Sequence, residues 1–91
     1  MILAEVTGRI WSERELPSLQ SHRLVSARAA RGEVLIAVDL IDVAAGNVVL
    51  IATDEAAQAA VPGDAAGIDA AVVALVAGAD RLAELLEGVI A

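Results

Sequence analysis

The chain has 91 residues, enough for one small domain and too few for two. It has no Cys, one His, one Trp and no Phe or Tyr, which excludes a disulfide framework, a thiolate metal site and a multi-His metal centre. A net charge of -7 with no Lys argues against nucleic acid as a partner, and 58% apolar residues in so small a domain point to self-association.

Residues 2–11 alternate, with Ile2, Ala4, Val6, Gly8 and Ile10 on one face and Leu3, Glu5, Thr7, Arg9 and Trp11 on the other. Period two with polar members on one side predicts a half-buried strand. Glu5 and Arg9 also deny this start the apolar run of a signal peptide. Residues 12–22 are polar and contain Pro17, which predicts a loop. Residues 22–30 read as a second strand through Leu24, Val25 and Ala27, and Ala29-Ala30-Arg31-Gly32 turns the chain. The apolar run 34–38 predicts a strand buried on both faces. Gly46-Asn47 marks a turn, and the β-branched run 48–52 a strand.

Residues 53–60 predict a short helix in which Thr53 or Asp54 accepts from the first-turn N–H groups, ended by Val61-Pro62-Gly63-Asp64. In 68–76 Ala favours helix while Val and Ile favour strand; the flanking Gly67 and Gly78 decide for strand. Residues 80–91 predict an amphipathic helix, with Asp80 as N-cap and Leu82, Leu85, Leu86 and Val89 on one face. The class is therefore mainly all-β: five short strands, a short helix before the last strand and a C-terminal helix. A small closed or partly closed barrel is the economical arrangement. The expected division is a barrel over 1–79 and a helix over 80–91, packed on the barrel or on a neighbouring subunit. No uncharged stretch approaches the roughly 20 residues that span a bilayer, so no membrane contact and a cytoplasmic location are expected.

Charge is uneven along the chain. Residues 1–31 hold five Arg and three Glu, net +2; residues 32–91 hold Arg81 and ten acids, net -9. Arg-bearing segments on an acidic chain are candidate contacts with other subunits, namely Arg14 in the loop 12–22 and Arg28 and Arg31 at the turn 28–33. Trp11 reads as a packing or interface residue, because no second aromatic exists to build a stacking platform. His22 lies in a polar segment beside Arg23 and reads as a solvated loop His. Asp39, Asp42 and Asp69 offer carboxylates that as a pair serve acid–base chemistry or hold a hard cation. At strand ends, Asp more often caps a turn through its own backbone, and that structural reading is preferred. No nucleophile elbow or phosphate loop is present. No catalytic residue, cofactor or metal ligand is assigned.

In order along the chain stand Met1-Ile2-Leu3-Ala4-x-Val6-x-Gly8, Pro17-Ser18-Leu19, Ala37-Val38-Asp39, Gly46-Asn47-x-Val49-Leu50, Ala56-Ala57 and the run from Ile68-Asp69 to Val76. Together, in this order and spacing, they resemble the vertex proteins of bacterial microcompartments, the family of the carboxysome protein CcmL and the ethanolamine-utilisation protein EutN. The likeness covers residues 1–77. The sequence departs from the family where Asp42-Val43-Ala44 stands for a usual Gly-Ala-Gly, Asp54 for a frequent Gly, Ala74 for Gly and Ala77 for Asp. The resemblance implies a five-stranded OB-like barrel, a homopentamer that caps the five-fold corners of a polyhedral shell beside hexameric tiles, and no catalysis. It adds Pro17, Leu19, Asp39, Gly46 and Asp69 to the candidate subunit or shell contacts. A second class, an OB-like ligand- or protein-binding module, is set against it; the acidic balance and the scarcity of aromatics disfavour oligonucleotides.

Overall fold

The computed structural model describes residues 1–11, 17–19 and 22–76; Arg14 and the helix expected at 80–91 lie outside the described residues. In chain order the elements are β1 (Ile2–Ile10), a 3-10 turn (Pro17–Leu19), β2 (Arg23–Ala29), β3 (Val34–Asp39), β4 (Val48–Thr53), α1 (Asp54–Ala60) and β5 (Ala70–Leu75). The strands close into a barrel in the order β1-β2-β3-β5-β4. Every pairing is antiparallel except β3 with β5, which runs parallel and consists of Val38 opposite Ala71 and Asp39 opposite Val72. A register shift between Val6 and Gly8 inserts Thr7 as an extra residue against β2, a bulge of the kind that bends a strand around a barrel.

Alternation dictates the core. Ala4 and Val6, Val25 and Ala27, Ala37, Val49 and Ile51, and Ala70 and Val72 bring inward residues from all five strands into one buried cluster, with Val43 over it. A second cluster lies on the outer side of β3, β5 and β4: Val38, Ala52 and Ala71 are covered by Ala57 of α1, Val61 and Ile68. β4 is thus buried on both faces.

β3 is not. Ala37 and Val38 are buried, but Val34 is 65% exposed and Ile36 48%. The cause is the short β3–β5 pairing: β2 lines the whole of β3, whereas β5 reaches only its last two residues, so the first half has an uncovered outer side.

The β3–β4 connection is held by one carboxylate. The Asp39 side chain is fully buried; its Oδ1 accepts from the amides of Ile41 (3.1 Å) and Asp42 (2.9 Å), and its Oδ2 from that of Val43 (2.9 Å). Val43 is thereby turned inward onto the lumen cluster. Further along, Asn47 Oδ1 accepts from the Ala44 amide at 2.9 Å. Gly46 takes φ +93°, which glycine adopts freely, and its N–H donates to the Val6 carbonyl at 2.8 Å, tying the connection to β1.

The start of α1 differs from the sequence expectation. Thr53 is the N-cap, but neither it nor Asp54 caps through its side chain. Asp54 instead adopts φ +53°, turning the chain abruptly out of β4, and its amide donates to the Asp69 carbonyl at 2.8 Å. One of the helix's free N–H groups is thus satisfied by the segment leading into β5.

Two stability predictions follow from these turns, each read from the urea midpoint at equal protein concentration. Asp39→Ala leaves three amides without their acceptor and is expected to cost about 2–3 kcal/mol, and Asp39→Asn less because one acceptor oxygen remains; an unchanged midpoint for Asp39→Ala would show that the carboxylate does not hold the loop. At the left-handed position, Asp54→Val is expected to cost about 1–2 kcal/mol, while Asp54→Gly holds stability level or raises it by up to about 1 kcal/mol. The reverse order would refute the left-handed turn.

Candidate functional site

Strand polarity assigns every residue to one of two barrel ends. The C-terminal ends of β1, β3 and β5 and the start of β2 form the first; the N-terminal ends of β1, β3 and β5 and the C-terminal ends of β2 and β4 form the second. The exposed large apolar side chains divide between them. Trp11, Ile41 and Leu75 belong to the first end, and Met1, Val34 and Ile36 to the second.

At the first end a polar cleft is lined by His22, Arg23, Asp39, Leu40, Ile41 and Asp42. The Arg23 guanidinium pairs with the Asp42 carboxylate and lies 4.0 Å from Asp39 Oδ2. Asp39 is already committed to three backbone amides, and Asp42 to Arg23, so the cleft holds no carboxylate pair poised for acid–base work. The cleft sets Arg23 against two carboxylates, Asp39 and Asp42. Beside it the Arg9 guanidinium lies 4.1 Å from the centre of the Trp11 ring, a cation–π stack on an exposed indole.

At the second end a groove runs between the first half of β3 and the β4–α1 corner. Ile2, Val34, Ile36, Thr53, Asp54 and Asp69 line it. Ile36 and Asp69 also border a neighbouring recess formed with Leu19, Leu24, Gly67 and Ile68. Met1 and Ile2 meet Arg31 and Glu33 of the β2–β3 turn on the far side of the same end.

The structure keeps Asp39 and Asp42 in one cleft and sets Asp69 apart from them. In the parallel β3–β5 register Asp39 faces Val72, so Asp69 lies three residues back toward the other end, roughly 10 Å along the strand. Of the other candidates, Pro17 is exposed and Leu19 is half-buried against the outer cluster; Arg28 projects from β2 opposite Glu5; Arg31 is exposed in its turn; Gly46 is inside the β3–β4 connection; Asp69 is exposed. Val34, Ile36 and Leu75 were not singled out by sequence, because each sits in an apolar run that reads as core, and Ile41 lies in the short Leu40-Ile41 pair between Asp39 and Asp42, which carries no such pattern. The Arg9–Trp11 pair carried a readable signal, since residues two apart share one face of a strand. Among the described residues no group of His, Asp or Glu is placed to hold a metal ion, and no helix is long and apolar enough to cross a membrane.

The barrel has close structural relatives. It matches a pentameric shell protein of the RMM microcompartment at 28% identity and a TM-score of 0.78, covering 86% of this chain and 92% of the other. It matches the GrpN pentameric microcompartment shell protein from Rhodospirillum rubrum at 25% identity and 0.77, covering 87% and 96%. CcmL from Nostoc sp. PCC 7120 matches at 28% identity and 0.75, covering 84% and 86%. Comparison with curated proteins gives no match. The family model described as ethanolamine utilisation protein EutN/carboxysome spans residues 1–76, which takes in the whole barrel and every piece of the sequence resemblance up to Val76. The chain belongs to the EutN/CcmL family.

Proposed function

We propose that this chain is a structural shell protein that assembles as a homopentamer and occupies the five-fold vertices of a bacterial microcompartment in the cytoplasm. The observation that carries this reading is the match, over 86% of this chain and 92% of the other, to a protein that is itself a pentameric shell component. The distribution of apolar surface supports it. A ring is built by a heterologous contact, in which one patch of each copy meets a different patch of the next. This barrel has two unlike exposed apolar patches at opposite ends, which suits such a contact.

The role is architectural. Six-fold tiles extend as flat sheets, and a closed shell needs five-fold units at its corners. A pentamer of this chain fills such a corner, with hexameric shell proteins as its neighbours in the facets. The reading uses no cofactor and no catalysis. The one buried acid among the described residues, Asp39, serves its own loop. Pro17, Arg28, Arg31 and Asp69, all exposed, remain candidates for contact with other subunits or tiles.

The test is the mass of the assembled protein, measured by native mass spectrometry over a concentration series. A dominant species of five 9.2-kDa subunits is expected. A six-subunit ring would keep the shell role and remove the chain from the vertices. A monomer at every concentration would overturn the reading.

A further inference from the structure

Trp11 is the chain's one aromatic residue, and it is 78% exposed. Arg9 covers one face of the indole and holds it at the barrel rim. Trp and Arg are the residue types that most often anchor interfaces, and an indole fixed before contact loses little entropy on binding. Among the described residues Arg9 makes no ion pair.

The groove at the opposite end has the complementary chemistry. Val34 and Ile36 offer apolar surface that β5 leaves uncovered. Asp54 and Asp69 stand on the same groove, and neither carboxylate has a partner among the described residues. The stack and the groove lie at opposite ends of one barrel and cannot meet within a subunit. Between two copies they meet head to tail, the arrangement that propagates into a ring. Each subunit carries a net charge of -7, so a contact that places a cation on two carboxylates also relieves repulsion between copies.

We infer that Trp11, with Arg9 stacked on it, seats in the groove of the next copy, the indole against Val34 and Ile36 and the guanidinium facing Asp69 and Asp54. The inference rests on the pentamer reading and specifies which residues make the ring. It is tested by charge exchange on the full chain, with ring dissociation followed on dilution by native mass spectrometry and folding checked by circular dichroism. Arg9→Glu and Asp69→Arg, each alone, are expected to raise the half-dissociation concentration about tenfold. The double variant R9E/D69R returns it to within about threefold of wild type, because the pair is restored with its signs exchanged. Trp11→Ala raises it about thirtyfold or more. Folded variants that all keep wild-type ring stability would overturn this contact while leaving the pentamer in place, as would a double variant no better than the worse single one. A wild-type chain that forms no ring would overturn the pentamer reading, and this contact with it.

Discussion

A barrel of five strands encloses very little space, and that constraint shapes the rest of the molecule. The inward positions are filled by Ala and Val, with Ile51 the largest side chain that is completely enclosed. No Phe or Tyr occurs in the chain, in keeping with a lumen that holds only small residues. A chain that is 58% apolar has more than such a lumen accepts. Part of the remainder is buried outside the sheet, where Ala57, Val61 and Ile68 cover β3, β4 and β5. Among the described residues, the exposed large apolar side chains stand at the two barrel ends. The exposed apolar surface is thus the direct consequence of closing a small barrel with an apolar sequence.

The same closure sets the turns. β3 and β5 meet over only two residue pairs, so the connections around them must be rigid for the barrel to stay shut. The acids do much of this work. Asp39 collects three amides of the β3–β4 connection. Asp64 accepts from the Ala66 amide at 3.0 Å in the segment leading to β5. Asp42 and Asp54 are the two non-glycine residues with positive φ among the described residues. Asp is among the few L-residues that enter the left-handed region at tolerable cost. A substantial share of the acid excess is therefore loop chemistry, and solubility alone does not account for it.

What sequence showed and what it hid divide along the same line. All five strands and the short helix were legible, because alternation in 2–11, the β-branched run 48–52 and the glycines around 68–76 are local signals. The turn role of Asp39 was legible for the same reason: its partners are two, three and four residues away. Long-range register was not. Nothing local in the run 34–38 tells that β5 covers only its last part, so Val34 and Ile36 read as core. Nothing local places Asp69 a barrel-length away from Asp42. The left-handed turn at Asp54, and with it the unused Thr53 cap, depends on the Asp69 carbonyl reaching across from another segment. The period of β1 puts Arg9 and Trp11 on one face in the sequence itself, while the groove at the opposite end exists only once the barrel has closed.

Charge shows how the fold turns a sequence asymmetry into a surface. The first 31 residues are net basic and the rest strongly acidic, and the barrel keeps them side by side: β1 and β2 are neighbours, and β3, β5 and β4 complete the ring of strands. Arg23 reaches Asp42, and Arg28 stands opposite Glu5. The asymmetry survives at the ends, where Arg9 lies at one rim and Asp54 and Asp69 at the other. Surface ion pairs inside one subunit add little stability, because water screens them. Charges left unpaired at the rims of apolar patches instead act on association, where they select register and exclude wrong partners. For a component whose proposed task is to occupy a corner, that use of charge matters more than any single bond. A small rigid barrel with unlike ends suits a head-to-tail contact between copies, and the proposed ring removes from water the apolar surface that the narrow lumen could not hold.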